Sequence, residues 1–96
     1  MIFAELSYPE HYSEVHGDIV NLLSSNFEKI EHGLQGDSWI WVHCDDEKVA
    51  IDSFTAMKHQ VKCEIKNCEL VDRVIQVLPI KYTLKRFTIP EFEPHE

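Results

Sequence analysis

Six histidines and three cysteines are the residues of this sequence that most often bind metals or act in catalysis. They are His11, His16, His32, His43, His59, His95, Cys44, Cys63 and Cys68. No Cys-x-x-Cys or His-x-x-x-His pair occurs among them. His59 and Cys63 share a face of one predicted strand, but four extended residues separate them by about 13 Å. We therefore expect no metal and no cofactor, and we expect His59 to be buried and held by hydrogen bonds.

A cysteine or serine nucleophile needs a base within hydrogen-bond reach. Cys44 follows His43, but adjacent residues of a strand point to opposite faces. His43 and Asp52 on neighbouring strands are a pairing that this geometry leaves open. Three glycines are too few for a phosphate-binding loop. We expect no enzymatic activity.

The cysteines are expected to serve packing. An odd number of cysteines argues against a disulfide framework. Cys44 and Cys63 fall in predicted strands, where a free cysteine packs as a small hydrophobic side chain.

The run Asp45-Asp46-Glu47 offers carboxylates that a divalent cation could use. Its spacing does not match an EF-hand loop. Two apolar runs flank it, so the pattern favours a solvated hairpin turn.

The stretch Asp37–Lys66 predicts a three-stranded antiparallel meander. Its strands are predicted at Trp39–Cys44, Val49–Phe54 and Met57–Lys66. The third alternates apolar and polar residues over ten positions, which is typical of a strand with one buried face. On the first strand Trp39 and Trp41 point away from Ile40 and Val42, so we expect the two tryptophans on a partly open face.

Two helices and two further strands flank the meander. They are predicted at Ile2–Leu6 (strand), Pro9–Asn26 (helix), Cys68–Leu78 (helix) and Tyr82–Ile89 (strand). Ser7 and Glu10 have capping-box spacing, and Asn67 is the expected N-cap of the second helix. The connector Glu28–Gly36 leaves room for a short strand around Ile30. Residues 90–96 are expected to be a loose acidic tail.

This order, β-α-β-β-β-α-β, predicts a single α+β domain over residues 1–96. We expect a mainly antiparallel sheet with both helices packed on one face. Ninety-six residues are enough for one modest core.

The charge is unevenly distributed along the chain. Residues 1–47 hold ten acids and one base, and residues 48–86 hold eight bases and four acids. The net charge of −8 disfavours binding to nucleic acid or to an anionic membrane. No apolar run approaches the roughly 18 residues of a membrane span. The start Met1–Leu6 lacks the features of a signal peptide, so we expect a cytoplasmic protein.

Aromatic and acidic residues together suggest a protein-binding surface. The candidate partner-binding residues are Glu10, Glu14, Asp18, Asp37, Trp39, Trp41, Asp45, Asp46 and Glu47. Tryptophan is enriched among binding hot spots, and acidic rims speed encounter with a basic partner. The alternative is that both tryptophans belong to the core and that the acids are only solvated.

In its size, acidity, lack of catalytic motifs and α+β layout, the chain resembles the small acidic immunity proteins that bacteria make against their own toxins. These include the immunity proteins of contact-dependent growth inhibition. The resemblance implies a cytoplasmic inhibitor that binds a basic toxin domain, and a nuclease is the toxin class that an acidic inhibitor suits.

Two other functions remain open. A cytoplasmic adaptor or self-associating subunit would bury the Trp39 and Trp41 face against a second copy, as a homodimer. A small-molecule binder would have a pocket with converging polar groups.

Overall fold

Six antiparallel strands and two helices form two layers. The computed structural model describes residues 1–54 and 56–92. The strands are β1 (Ile2–Ser7), β2 (Lys29–Gln35), β3 (Asp37–Cys44), β4 (Glu47–Asp52), β5 (Gln60–Lys62) and β6 (Thr83–Glu91). The helices are α1 (Tyr12–Ser24) and α2 (Glu69–Val77), the latter followed by a 3-10 turn at Leu78–Ile80. The strand order in the sheet is β2-β3-β4-β5-β1-β6, and the α+β prediction is confirmed.

Two tight turns set the register of the β2-β3-β4 meander. Gly36, at φ 81°, turns the chain between β2 and β3. Asp45, at φ 54°, occupies the turn between β3 and β4, in a conformation that Asp tolerates better than most residues. Ile40 of β3 then lies opposite Ile51 of β4.

One face of this sheet and both helices form the hydrophobic core, as predicted. Fully buried side chains come from α1, α2 and the central strands: Val15, Ile19, Leu23, Leu70, Val71, Val74, Ile40, Val42, Val49, Ile51 and Val61. Alternation along the strands places the odd-numbered positions of β3 on the other face, which neither helix covers.

The predicted third strand of the meander is much shorter than expected. Only Gln60–Lys62 forms β5, while Met57 and Ile65 are 65% and 48% exposed. β5 lies between β4 and β1, and the register with β1 shifts between Ile2 and Ala4. Pairing continues past this shift to Ile2 and Lys62, and Met1 and Cys63 exchange backbone hydrogen bonds just beyond. Met57 and Ile65 lie outside this pairing, so the alternating pattern extends beyond the strand.

The connector before the meander is a complete strand. β2 pairs along all seven of its residues with β3. It is an edge strand that is mostly exposed, so its sequence lacks the apolar alternation of an internal strand.

The helix starts differ from those predicted. His11 is the N-cap of α1: its ring Nδ1 accepts from the Ser13 backbone N–H at 3.2 Å. Glu14 accepts from the His11 backbone N–H at 3.0 Å, which completes a capping box. Ser7 belongs to β1 instead. Cys68, not Asn67, is the N-cap of α2.

The first residues of the expected loose tail belong to a strand. Pro90 and Glu91 belong to β6, where an edge position spares proline the loss of a ladder hydrogen bond. Residues 93–96 lie outside the described residues. Among the described helices, neither has the length and apolar character needed to cross a membrane.

Two glycines give a matched test of this packing. A Cβ on Gly33 would lie 2.6 Å from the Trp39 ring, whereas a Cβ on Gly17 of α1 would meet nothing within 4 Å. We expect Gly33→Ala to lower the free energy of unfolding by about 1–2 kcal/mol because the indole must move. Gly17→Ala should raise it by up to about 1 kcal/mol. Urea unfolding measures both, and a stabilising Gly33→Ala would contradict the close contact.

Candidate protein-binding face

Trp39 and Trp41 form a contacting pair, with their ring planes tilted by 44°, on the sheet face opposite the helices, where the sequence suggested an open surface. Their ring centroids are 4.7 Å apart, and both side chains are half-buried. Gly33 of the neighbouring strand β2 lies directly against Trp39. The missing side chain at Gly33 lets the indole lie flat on the sheet. We call the sheet surface around Trp39 and Trp41 the tryptophan face. Its shape is therefore set before any partner binds.

Charged side chains contact the edges of this face. The Lys48 Nζ lies 4.3 Å from the centroid of the Trp41 ring, within cation–π range. The His43 Nε2 and a Glu31 carboxylate oxygen are 2.6 Å apart. His43 thus contacts β2, while its cross-strand neighbour on β4 is Lys48 rather than Asp52.

A buried ion pair lies beside the tryptophans. The Lys62 Nζ is 2.6 Å from Asp52 Oδ1, and the two side chains are only 5% and 6% exposed. Asp52 lies opposite Trp39 in the β3–β4 register. A buried pair of this kind needs both partners, because either charge alone would be costly.

The nine predicted partner-binding residues do not form one patch. Asp37 begins β3 and Asp45 follows its end, so eight extended residues separate them by roughly 26 Å. The Tyr12 hydroxyl donates to the Gly36 carbonyl oxygen, which brings the start of α1 to the Asp37 end. Glu10 and Glu14 therefore lie near that end, and the Asp45 turn lies at the other.

Several of these acids already have roles within the fold. Glu14 caps α1, and Asp18 forms an exposed ion pair with Lys81 at 3.5 Å. Glu47 shares the helix-covered side of β4 with Val49, by alternation. Asp45 and Asp46 are exposed in the hairpin turn that the sequence predicted.

A concavity at the Asp46 end is the feature that sequence analysis missed. Its volume is about 560 Å³, within the usual range for ligand sites. Its lining residues are Met1, Asp46, Lys48, Ala50, Asp52, Lys62, Cys63, Glu64, Ile65 and Phe92. These residues come from β4 and β5 and from the segments next to the ends of β1, β4, β5 and β6, whose proximity depends on the sheet order.

A chain of buried hydrogen bonds crosses the other side of the sheet. The Tyr8 hydroxyl accepts from the His59 backbone N–H at 3.1 Å and donates to His59 Nδ1 at 2.7 Å. The His59 Nε2–H then donates to Ser38 Oγ at 2.7 Å. Ser38 donates to His16 Nδ1 at 2.6 Å. Finally, His16 Nε2–H donates to His32 Nδ1 at 3.2 Å, near the surface. Every proton in this assignment has an acceptor.

This chain of hydrogen bonds contains a serine–histidine contact like that of a catalytic pair, but it cannot perform the chemistry of such a pair. Ser38 is 0% exposed, and both its proton and its lone pair are engaged by histidines. Burial lowers the pKa of His59 to about 4, with His16 adding to the effect. Burial also lowers the pKa of His16. The prediction of a buried, hydrogen-bonded His59 is confirmed.

The cysteines and histidines assemble no further site among residues 1–54 and 56–92. No group of three or more His, Cys, Asp or Glu side chains there has metal-binding geometry. Cys63 and Cys68 are buried, and burial raises the pKa of the Cys68 thiol to about 12. A thiol with so high a pKa is a packing group rather than a nucleophile.

These features define a small two-layer α+β domain whose sheet presents one uncovered face with a tryptophan pair. Comparison with protein-family models, curated proteins and solved structures finds no match to the chain.

The buried ion pair gives a first test of this face. Lys62→Met leaves the buried Asp52 carboxylate without its cation, and we expect a loss of about 3 kcal/mol in the free energy of unfolding. Adding Asp52→Asn removes the uncompensated charge and should recover most of that loss. Chemical unfolding measures both variants. Equal destabilisation by the single and the double variant would contradict a role for the charge.

The histidine chain predicts acid sensitivity. Because the folded pKa of His59 lies below the unfolded value of about 6.5, the unfolded state binds more protons. The contribution of neutral His59 to the stability is therefore fully present above pH 6.5, and it is lost as the pH falls towards 4. From pH 7 to 5.5 we expect a loss of about 1 kcal/mol from His59, and His16 acts in the same direction. Urea unfolding at both pH values measures the loss, which should shrink in His59→Gln. An unchanged pH dependence in that variant would contradict the assignment.

Proposed function

We propose that this chain is a non-enzymatic protein-binding domain that acts as an immunity protein. It neutralises a basic toxin domain, of which a nuclease is the best candidate, by direct binding in the cytoplasm. The observation that carries the proposal is the contacting Trp39–Trp41 pair on a sheet face that neither described helix covers. A net charge of −8 complements a basic partner.

The tryptophan face has the properties of a binding hot spot. Half-buried indoles supply a large contact area at little entropic cost, because their neighbours already fix them. Lys48 on Trp41 and Gly33 beneath Trp39 provide that fixation. An inhibitor of this kind needs no chemistry of its own, since covering the active site of the toxin is sufficient.

The exposed acids would act mainly on the rate of encounter. Asp45 and Asp46 project from the β3–β4 turn at one end of the tryptophan face. Carboxylates at the rim of an interface steer a basic partner and lose that effect in salt.

The direct test pairs the chain with the product of the gene immediately upstream in its host. The upstream protein should be a basic toxin domain, it should co-purify with the chain as a 1:1 complex, and one equivalent of the chain should abolish its activity. Full toxin activity in the presence of excess chain would overturn the proposal.

A second copy of the chain is the competing occupant of the tryptophan face. A self-associating subunit would have twice the monomer mass of 11.3 kDa in solution. Sedimentation equilibrium separates the two functions, since an immunity protein awaiting its toxin should keep this face free and remain monomeric.

Charge reversal in the hairpin turn tests the steering. We expect Asp45→Lys with Asp46→Lys to slow association with the toxin by about tenfold at low salt. It should lower the free energy of unfolding by only about 1 kcal/mol, because lysine tolerates the positive φ of position 45 less well than aspartate. Stopped-flow fluorescence of the tryptophans measures the association rate. Asp18→Lys with Asp72→Lys, two exposed positions on the helices, is the matched control. Equal rates for the two double variants would show that the turn lies outside the interface.

A further inference from the structure

We propose that the outer edge of β2 pairs with an extended segment of the protein partner, which adds a strand to the six-stranded sheet. This inference rests on the proposed function for the partner being a protein, and it names the conformation in which the partner is recognised. In recognition of this kind, backbone hydrogen bonds give affinity and side-chain contacts give specificity.

The outer edge of β2 is regular along its whole length. All seven residues, Lys29–Gln35, pair with β3 without a register shift, and none of them is proline. Every second residue of such a strand points its backbone N–H and C=O groups away from the neighbouring strand. Within residues 1–54 and 56–92, no backbone hydrogen bond joins this side of β2 to another segment. The edge therefore presents a row of donors and acceptors that an extended chain can match.

The opposite edge of the sheet is interrupted where β2 is not. β6 contains Pro90, which has no backbone N–H, and its pairing with β1 shifts register between Ile2 and Ala4. Natural sheets often use proline, bulges and lysine side chains to keep their edges from pairing with other chains. β2 has only Lys29, at its first residue, so the remainder of this edge is open to pairing.

Trp39 and Leu34 offer the side-chain contacts for such a pairing. The Trp39 indole lies over Gly33, because a Cβ at Gly33 would be 2.6 Å from the ring. β2 is the outermost strand, so a residue opposite Gly33 on an added strand would contact the indole. Leu34 points to the helix side by alternation and is 43% exposed. The segment that fits best therefore has two consecutive apolar residues, one for each face of the sheet.

A second copy of β2 fits this edge less well. In the antiparallel register that pairs all seven residues of two copies, His32 lies on the symmetry axis. Glu31 of one copy then lies opposite Gly33 of the other and brings a carboxylate to the Trp39 indole. The face of an aromatic ring is itself negative, so this contact is unfavourable. An apolar residue of a partner meets the ring without that repulsion.

The probe is a capped peptide, Ac-Lys-Thr-Val-Val-Thr-Lys-NH2, titrated into the full chain and followed by chemical shifts. We expect shifts concentrated in β2 and at the Trp39 indole N–H, with saturation in the millimolar range. The same peptide with both valines N-methylated keeps its side chains but loses one N–H donor on each of its edges. It should bind at least about tenfold more weakly. Equal binding of the two peptides, no response in β2, or a response centred on β6 would overturn the inference.

Matched variants locate the pairing edge. Leu34→Lys places a lysine on β2 and should weaken peptide binding several-fold. Ile89→Lys makes the same change at an exposed apolar residue of β6 and should leave binding unchanged. Urea unfolding checks that both variants fold. Unaltered binding in Leu34→Lys would exclude the β2 edge.

The two proposals can fail separately. If a toxin is bound with equal affinity by the wild type and by Leu34→Lys, the immunity function stands and the β2 edge is not the recognition site. If the peptide pairs with β2 as expected but no basic toxin is neutralised, β2 is a peptide-binding edge and the immunity function falls.

Discussion

The hydrogen-bond chain through Ser38 is the constraint on which the arrangement of the fold depends. It joins α1, β2, β3 and the segments beside β1 and β5 in a buried environment, where an unpaired polar group would be costly. Each polar side chain in it has the next one as its hydrogen-bond partner. This requirement fixes the position of the helix relative to the strands. The same closure removes these residues from chemistry, because Ser38 and His59 have no access to solvent.

Both helices pack on one side of the sheet, so the other side is available for contact with solvent or a partner. An antiparallel sheet often has one solvated face, but such a face is normally polar. Here it carries two indoles in contact, a buried ion pair and exposed apolar groups at one end. Holding Trp39, Asp52 and Lys62 in this order across three strands is more specific than solubility requires, which favours a binding role for this face.

The sequence predicted the layers and the uncovered tryptophans, because periodicity reports burial. It did not predict the extent of β5, since alternation at Met57 and Ile65 continues beyond the residues that pair with β1. β2 gave a weak signal because an edge strand needs few apolar residues. The concavity was inaccessible to such reasoning. Asp46, Glu64 and Phe92 are distant in sequence, and only the order β4-β5-β1-β6 brings them together.

The positions of the acids further determine which end of the molecule offers its charge to a partner. Near Asp37, Glu14 caps α1 and Asp18 pairs with Lys81, so part of the negative charge at that end already interacts within the fold. At the other end Asp45 and Asp46 are exposed in the turn beside the tryptophan face, whereas the concavity there is lined by cations as well as carboxylates. Exposed acids at the edge of an aromatic surface act mainly on the rate of encounter. Under the proposed function, this turn is therefore the part of the molecule best placed to steer a basic partner towards the tryptophans.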